Sequence, residues 1–420
     1  MNYMQFNKKL SLIILFSFII KLLVIIIFHE KTLSDEWLII FNNFQIDKSY
    51  SYYIFNSNYI PSSYLPPLYF LILYFSKIVT FGEFNFLYIT YFIQLLLSTF
   101  SVLLFFHICK SFFKNSYSLF GATIFSIFPL IVFSNALVSS VTLQLFLYLA
   151  FFKLYIDVLN GKKNFLHIFL LILVSGACLL LRGEFLIIFI FSIIYLAIQD
   201  KKKIILAFIL LLFSSLVVAP YVVRNYLNTE KIHIVNVTGY ALWKGNNHLA
   251  KVEGFHNPLH PDARESWPNI KEFDNLYSKL DNIKKDKLYE INRDAIFAEE
   301  AFNNISSNKK IYFILYIKKI FSYFFIDLES SLKNYYNYLH IYPVLIFSFM
   351  SIPGIFIGLK KFKNSQIVYV FLIMCILTSV ISVFFVLPRY KISIISFQIL
   401  ASLFLVEYLV NLLTKRNKKL

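Results

Sequence analysis

The sequence predicts an all-α polytopic membrane protein with about ten transmembrane helices, interfacial helices and an extracytoplasmic loop subdomain. Of its 420 residues, 58% are hydrophobic and only 15% are charged, whereas soluble domains carry roughly a quarter charged residues. Apolar runs of about 20 residues, the length that crosses a hydrocarbon core, recur along most of the chain. The charged residues lie in short clusters between these runs, as they do in the loops of membrane proteins.

Ten apolar runs are long enough to be transmembrane spans. Lysine and arginine collect in alternate connections between them, which is typical of cytoplasmic loops. With those loops inside, both termini are predicted to be cytoplasmic. The first run is predicted to be an uncleaved span, because it is longer than the apolar part of a secretory signal and no small-residue cleavage site follows it. The predicted spans are residues 10–28, 86–109, 117–134, 137–156, 165–181, 184–199, 204–221, 341–359, 366–387 and 392–412.

The net charge of +17 does not indicate a nucleic-acid partner. Such a partner needs a continuous basic surface on a soluble domain, and the basic residues here are dispersed between spans. Cys109, Cys178 and Cys375 each lie in an apolar run, at separations that indicate neither disulfides nor a metal site. They are predicted to be packing residues.

Two further apolar segments are predicted to lie at the outer interface of the membrane. Segment 66–81 opens on two prolines, and counting it as a span would move two lysine-rich loops to the outside. Segment 311–326 carries Lys318 and Lys319 in its middle, where hydrocarbon surroundings would be costly. Both are therefore predicted to be interfacial helices.

The chain is predicted to fall into three parts. Residues 1–221 form an N-terminal transmembrane module with an outer loop at 29–65, and residues 341–420 form the C-terminal transmembrane helices. Residues 222–340 between them hold an extracytoplasmic loop and an interfacial helix. The stretch 222–310 contains 12 of the 23 acidic residues. A polar stretch of this length cannot be accommodated in lipid, so it is predicted to be an extramembrane subdomain.

Asp35 and Glu36 follow the first span in the sequence SDEWLIIFNNF. The apolar residues after them recur at helical spacing, which predicts an amphipathic helix near the lipid headgroups. A carboxylate there can be partly desolvated, which raises its pKa and makes it a usable base toward a hydroxyl or an amine. The alternative is a solvated acid, or one that complements the positive end of a helix dipole.

Charged residues also lie at the predicted ends of other spans. Arg182 and Glu184 stand between two apolar runs in LLLRGEFLII, at a depth where charges usually pair or bind a ligand. Arg389 and Tyr390 follow Pro388 on the outer side, against the positive-inside tendency, and indicate an anionic partner such as a lipid headgroup or a substrate phosphate. A mutual ion pair between Arg182 and Glu184 is the structural alternative.

A second candidate anion-binding region follows Pro220. Arg224 and Asn225 come first, and the sequence GYALWKGNN, which ends in Asn246 and Asn247, comes after them. The planar fork of an arginine suits phosphate oxygens, and a backbone rich in glycine and asparagine permits close approach of a ligand. An ordinary turn would have the same composition.

The residues of the long loop do not define a metal site. Its histidines, His233, His248, His256 and His260, show no metal-ligand spacing. No certain cofactor is predicted, and a divalent metal is left open. The sequence contains neither a phosphate-binding loop of the nucleotidases nor a serine nucleophile elbow, so ATP-driven transport and serine hydrolysis have no motif behind them.

The order of these features resembles the C-type membrane glycosyltransferases, in particular the group of protein O-mannosyltransferases and lipid A aminoarabinose transferases. The resemblance covers most of the chain and runs through SDEW, PPLYFLILYF, LLRGEFLII, APYVVRNYLNTEKIHIVNVTGYALWKGNN and LPRYKISIISF. It implies the C-type glycosyltransferase fold and an enzyme of the bacterial inner membrane. Such an enzyme moves a sugar from a polyprenyl-phosphate donor to a lipid, glycan or protein acceptor on the periplasmic side, among membrane lipids.

The resemblance also implies roles for individual residues. Asp35 would be the catalytic base, with Glu36 beside it. Many members of the group carry a carboxylate where Ser139 and Ser140 stand here, so Glu184 or Glu36 would supply a second acid if one is needed. The residues implied to hold the lipid-linked phosphate are Arg182, Arg224 and Arg389, helped by Lys318 or Lys319.

Two other functions stay open from the sequence. A transporter or flippase of lipid-linked sugars would suit ten spans and interfacial cations, but it predicts ionisable residues inside several spans. The interiors of 86–109, 117–134 and 366–387 hold almost none apart from His107. A polymerase or ligase of surface polysaccharide would share the donor but would normally place its key residues in a different loop.

Overall fold

The protein is a helical, multi-pass membrane protein. The computed structural model describes residues 3–33, 35–80, 85–162, 164–255, 268–330, 337–361 and 365–417. Within these ranges, seven helices are long and apolar enough to cross a membrane, and one bent pair of helices makes an eighth span. Together with two shorter apolar helices, Phe165–Leu179 and Phe185–Gln199, they match the ten predicted spans.

The elements are numbered in chain order. Those that match predicted spans are α1 (Tyr3–Phe28), α4 (Leu87–Lys110), α5 and α6 (Asn115–Ile127 and Pro129–Phe133), α7 (Val141–Leu159), α8 (Phe165–Leu179), α9 (Phe185–Gln199), α10 (Ile204–Thr229), α15 (Tyr338–Lys361), α16 (Ser365–Val383) and α17 (Ile392–Asn417). The others are α2 (Asp35–Asp47), β1 (Ser51–Phe55), β2 (Asn58–Pro61), α3 (Pro67–Val79), α11 (Thr238–Gly245), α12 (Asp274–Asp281), α13 (Tyr289–Ser307) and α14 (Lys309–Phe324). Single 3₁₀ turns at Ser134–Ala136, Lys201–Lys203, Lys271–Phe273 and Pro388–Lys391 join neighbouring helices.

Two proline positions change the spans from their predicted form. The predicted span 117–134 is two helices bent by 52° at the start of α6, because Pro129 has no amide hydrogen to continue the helix from α5. The predicted span 204–221 continues through Pro220 as far as Thr229. Its extension carries Arg224 on a helix, where the sequence analysis placed the beginning of the outer loop.

The membrane helices pack closely where one of them offers a glycine. A side chain at Gly354 of α15 would collide with the backbone carbonyl of Ala401 on α17. A side chain at Gly176 of α8 would collide with Val217 on α10. Helices in lipid have little hydrophobic drive to associate, so small residues that admit close van der Waals contact stabilise their pairing.

The amphipathic helix predicted after the first span is α2. Trp37, Ile40 and Phe41 on its inner face are buried. The Trp37 ring packs edge-on against Tyr69 of α3, with ring centroids 5.1 Å apart. Helix α3 has 13 residues, fewer than the roughly 20 that an upright span requires, and α14 carries Lys318 and Lys319 within it.

A β-hairpin that the sequence did not reveal follows α2. Its strands β1 and β2 are antiparallel, and the residues at the turn, Asn56 and Ser57, both have positive φ. Two successive positive φ values give the turn a twist that matches the twist of a hairpin. The segment was predicted to be a loop because the tyrosines, serines and asparagines in it show no clear alternation of polar and apolar residues.

The hairpin and the segment that follows α10 share a second apolar core, separate from that of the membrane helices. Trp243 of α11 lies at its centre and has no exposed surface. The fully buried Arg293 of α13 donates a hydrogen bond to the hydroxyl of Tyr53 at 3.2 Å, and its guanidinium lies 4.8 Å from the Phe297 ring centroid. The buried apolar members of this core are Tyr53, Phe55, Ile60, Leu242, Trp243, Phe255, Phe273, Leu276, Tyr277, Leu280, Ile283, Tyr289, Phe297 and Ala301. The predicted extramembrane segment thus folds around a core of its own.

A buried carboxylate, Glu290 of α13, fastens the end of the hairpin to this core. It accepts a hydrogen bond from the Ser62 hydroxyl, and bonds of 2.9 Å from both the backbone amide and the hydroxyl of Ser63. The Ser63 hydroxyl also lies 2.7 Å from Nε2 of His233. Burial raises the pKa of Glu290, and the bonds from Ser62 and Ser63 partly offset that rise.

We expect the substitution Glu290→Gln to change how the stability of the protein depends on pH. Because the pKa of Glu290 is raised in the folded state, the folded chain binds this proton more tightly than the unfolded chain. The contribution of Glu290 to the free energy of unfolding is therefore largest at low pH and falls as the pH rises from about 4.3, the unperturbed value, through the folded pKa. Melting temperatures of both proteins in detergent between pH 4 and pH 8 should show wild type losing stability relative to Glu290→Gln as pH rises. A difference that stays constant would contradict the raised pKa.

Candidate functional site

A cavity of about 330 Å³ lies where the membrane helices meet the second apolar core. Its walls come from four parts of the chain: the segment before α3, the connection from α8 to α9 with the start of α9, the region of α11, and the end of α16 with the turn after it. Most of the lining is apolar. The lining residues are Tyr64, Leu65, Pro66, Arg182, Gly183, Glu184, Leu186, Ile187, Val235, Val237, Thr238, Ala241, Val380, Ile381, Phe384, Phe385 and Tyr390.

Arg182 and Glu184 form the charged part of the cavity wall, as members of the short connection between α8 and α9. Their nearest charged atoms, Nε of Arg182 and Oε1 of Glu184, are 3.9 Å apart, and each side chain is about a quarter exposed, 22% and 24%. This is the ion pair that the sequence analysis gave as the structural alternative. Because both side chains also line the cavity, pairing with each other leaves them in reach of a ligand.

Gln144 of α7 holds this pair in place. Its Oε1 accepts a hydrogen bond of 3.1 Å from Nε of Arg182. Its Nε2 donates to Oε1 of Glu184 at 3.4 Å and to the hydroxyl of Ser393 at 3.0 Å. Since Nε of Arg182 is engaged by Gln144, the terminal nitrogens of the guanidinium are the part that can meet an anion in the cavity. Sequence reasoning missed Gln144, although an amide within the apolar run VTLQLFLYLAFF is a recognisable signal of a buried polar contact.

Aromatic rings with cations beside them form another part of the wall. The rings of Phe385 and Tyr390 both line the cavity, with centroids 5.8 Å apart. Nζ of Lys244 lies 5.0 Å from the Phe385 centroid, and the guanidinium carbon of Arg389 lies 5.7 Å from the Tyr390 centroid. Two cations thus flank one aromatic pair.

Glu36 of α2 acts on the same region of the molecule. Burial raises the pKa of Tyr64, a cavity residue, and the Glu36 carboxylate adds to the rise. Burial lowers the pKa of Lys244, while the Glu36 carboxylate raises it and the Arg389 guanidinium lowers it. Glu36 itself is exposed. The side chain of Asp35 lies outside the described part of the structure, which shows only that its backbone begins α2.

Arg224 and Asn225 lie away from the cavity lining, in contact with the hairpin segment. Arg224 donates to the backbone carbonyls of Ser62 at 2.6 Å and Tyr50 at 3.0 Å, and to Oδ1 of Asn225 at 2.9 Å. The Asn225 amide donates to the carbonyl of His233 at 2.9 Å. These contacts attach the hairpin segment and the residues after α10 to α10 itself. A phosphate-binding role for Arg224 and Asn225 stays a prediction.

Asn246, Asn247 and Lys319 are also occupied by contacts within the protein. The side-chain amides of the two asparagines donate to carbonyls of Leu242 and Trp243, which closes the end of α11. Nζ of the fully buried Lys319 donates to carbonyl oxygens of Gly245 and Phe384, and to Oδ1 of Asn246 at 3.2 Å. Lys318, one position earlier, is exposed. Of the predicted substrate-binding residues, the structure brings Arg182, Glu184 and Tyr390 into the cavity wall, with Arg389 beside them.

An acidic side chain does approach the outer start of α7, where Ser139 and Ser140 replace the carboxylate of the resembled group. It is Glu30, whose Oε2 accepts a hydrogen bond of 2.8 Å from the Val138 amide. Among the described residues, no three or more His, Cys, Asp and Glu side chains are grouped as metal ligands would be. His256 and His260 lie outside the described ranges, and metal dependence stays untested.

Comparison with known proteins identifies the fold. No protein family and no curated protein matches the sequence. The archaeal oligosaccharyltransferase AglB of Archaeoglobus fulgidus, solved with an inhibitory peptide and a dolichol-phosphate, is similar in structure with a TM-score of 0.57 and 13% identity, over 99% of this chain and 52% of AglB. The complex of that enzyme with Zn and sulfate gives 0.55 and 13%, over 96% and 50%, and the apo form gives 0.55 and 12%, over 97% and 51%.

These similarities define the class of fold as that of the C-type membrane glycosyltransferases, which confirms the predicted fold class. The chain spans about half the length of the solved structures that it matches.

We expect Gln144→Leu to destabilise the protein by about 1–3 kcal/mol, because it removes hydrogen bonds from a partly buried arginine, a carboxylate and a serine at once. Ser393→Ala removes only one of these bonds and should cost less. Thermal unfolding of the two purified variants, monitored by intrinsic fluorescence, measures the difference. Equal losses would show that Gln144 does not organise the charged wall.

Proposed function

We propose that this protein is an integral membrane glycosyltransferase that moves a sugar from a polyprenyl-phosphate donor to a lipid, glycan or protein acceptor. The observation that carries the proposal is the cavity described above, in a chain with the C-type glycosyltransferase fold. It combines apolar walls contributed by membrane helices with an arginine that Gln144 orients. An amphiphile with a long apolar tail and an anionic head matches that combination.

The two ends of such a donor have separate binding needs. The prenyl tail stays against apolar surface, where burial of its methylene groups is favourable. The phosphate needs a cation at the level of the headgroups, and Arg182 supplies one in the cavity wall. As the bond between the sugar and the phosphate oxygen breaks, charge grows on that oxygen, and a guanidinium fixed beforehand stabilises it.

The acceptor reacts with the anomeric carbon of the sugar. A new bond forms between that carbon and the acceptor oxygen or nitrogen, the bond to the phosphate oxygen breaks, and polyprenyl phosphate leaves. A carboxylate takes the proton from the acceptor. Asp35 is proposed as this base on the strength of its sequence position, with Glu36 beside it and Glu184 as a second acid in the cavity.

The proposed workplace is the periplasmic side of a bacterial inner membrane, with both termini in the cytoplasm. The distribution of lysine and arginine among the connections supports this orientation. The second apolar core and its hairpin, which hold most of the long polar segment, would then lie outside the cell.

A transporter of lipid-linked sugars is the second candidate, and one observation favours it. Lys21, in the middle of α1, is fully buried and donates a hydrogen bond of 2.8 Å to the carbonyl of Ser98 on α4. Buried cations within spans often mark transport pathways. A carbonyl partner is also sufficient to hold a lysine as a structural contact between two helices.

Asp35→Asn is expected to lower transfer by ~100-fold or more, the range for loss of a general base, without changing membrane insertion. Arg182→Met is expected to weaken donor binding. The measurement compares a deletion strain with strains carrying each variant, by mass spectrometry of lipid A, surface polysaccharide and envelope proteins. Lys271→Met, at an exposed residue of the long polar segment, serves as a control outside the cavity. Full transfer by Asp35→Asn would remove Asp35 from the mechanism, and an unchanged envelope in the deletion strain would count against the transferase.

Cysteine accessibility tests the orientation. In a background with Cys109, Cys178 and Cys375 replaced by serine, an exposed residue of the outer segment, Lys271, and one of a predicted cytoplasmic loop, Lys162, are each changed to cysteine. A membrane-impermeant maleimide added to intact spheroplasts should label Lys271→Cys and spare Lys162→Cys until the membrane is opened. The reverse pattern would overturn the proposed orientation.

A further inference from the structure

Lys244 lies beside the cavity, next to Gly254 and Phe385. It lies on α11, and its side chain is half-buried. A side chain added at Gly254 would come within 3.2 Å of Cγ of Lys244 and 3.1 Å of Cβ of Phe385. Gly254 has φ +78°, a conformation that side chains rarely adopt. The Cγ atom of Lys244 therefore lies next to the Gly254 backbone, and its ammonium group lies over the Phe385 ring.

The ammonium group of Lys244 makes no hydrogen bond or ion pair with any residue that the structure describes. It lies over the Phe385 ring. Two buried lysines, Lys319 and Lys391, do have hydrogen-bond partners within the protein. Nζ of Lys319 donates to three oxygens, and Nζ of Lys391 donates to the carbonyls of Ser322, Tyr323 and Phe325. The charge of Lys244 is therefore not satisfied by any described residue, and it can meet an anionic ligand.

The surroundings of Lys244 connect it to the cavity. Phe385, which covers its stem, lines the cavity, as does Tyr390 next to it. The charged groups that act on Lys244 are the carboxylate of Glu36 and the guanidinium of Arg389. Among the described residues, Lys244 and Arg389 thus place two cations beside this part of the wall, with the carboxylate of Glu36 near them.

We propose that Lys244, beside the cavity, is a further anion-binding residue, which contacts the phosphate of the lipid-linked donor together with Arg182. The inference rests on the proposed function, and it adds a residue that sequence motifs did not indicate as a ligand. A phosphate that met both Arg182 and Lys244 would have its growing charge stabilised by two cations as the sugar leaves. The competing role is structural: the stem of a lysine can cover apolar surface while its charge stays in water.

The test measures binding of three probes to the purified full-length protein in nanodiscs. Farnesyl phosphate carries the prenyl tail and the anion, farnesol carries the tail alone, and inorganic phosphate carries the anion alone. Lys244→Met should weaken binding of farnesyl phosphate by ~10-fold, the lower end for a charge-assisted hydrogen bond, and should leave farnesol unchanged. Lys244→Arg should restore most of the affinity, since it retains the charge.

Lys251→Met is the matched control, because Lys251 is an exposed lysine a few residues further along the same segment. It should bind all three probes as wild type does. Melting temperatures of all variants show whether they fold. If the role is structural, Lys244→Met will bind farnesyl phosphate as tightly as wild type, which overturns the inference.

The outcomes separate this inference from the proposed function. Loss of farnesyl phosphate binding in Arg182→Met but not in Lys244→Met would overturn the role of Lys244 and leave the proposed function standing. Equal binding of farnesol and farnesyl phosphate by wild type would overturn the phosphate site itself, and with it the proposed donor. Binding of inorganic phosphate as tight as that of farnesyl phosphate would show that the anion is free phosphate, and would overturn the lipid-linked donor as the ligand.

Discussion

The hydrogen bonds that hold residues 50–66 are the constraint on which the hairpin and the adjoining wall of the cavity depend. Arg224 holds two carbonyls of this segment from α10, and Glu290 holds its serines from α13. Each of these two groups makes several hydrogen bonds, which a polar group withdrawn from water requires. Tyr64, Leu65 and Pro66 follow at once and form part of the cavity wall. Arg224 and Glu290 therefore set the shape of the cavity even though neither of them lines it.

The division of labour among the cations follows from what surrounds each of them. Arg224 and Lys319 meet backbone carbonyls, so their charges stabilise the positions of loops and helix ends. Arg182 contacts the Gln144 amide and the Glu184 carboxylate through one nitrogen. Lys244 lies against Gly254 and the Phe385 ring. Charges of the second kind keep donors for a ligand. This difference supports Arg182 and Lys244 over Arg224 as the residues that would meet the phosphate of a donor.

The sequence predicts the spans and the amphipathic helix well, because a continuous apolar run or a helical period is a local property. It names Arg182, Glu184 and Tyr390 as substrate-binding candidates because short connections keep polar residues near the ends of spans, and the structure places all three in the lining of the cavity. The hairpin was missed, since its inward side chains are recognised only against α13, more than 200 positions away. Nothing local distinguishes Arg224 from Arg182, because the partners that engage Arg224 lie in the distant hairpin segment. The surroundings of Lys244 on α11 likewise depend on Phe385, which follows the end of α16.

The separation in sequence between the hairpin and α13 also determines an order of assembly. The Ser63 amide meets a carboxylate 227 positions later in the chain, and the ten described α-helices from α3 to α12 are synthesised between the two. During synthesis the segment that contains Ser63 must therefore wait for these helices before its buried serines find their acceptor. Contacts so distant form late and slowly. A nascent chain of 250 residues contains most of the residues that line the cavity. It does not yet contain the Glu290 carboxylate that holds Ser62 and Ser63 in place.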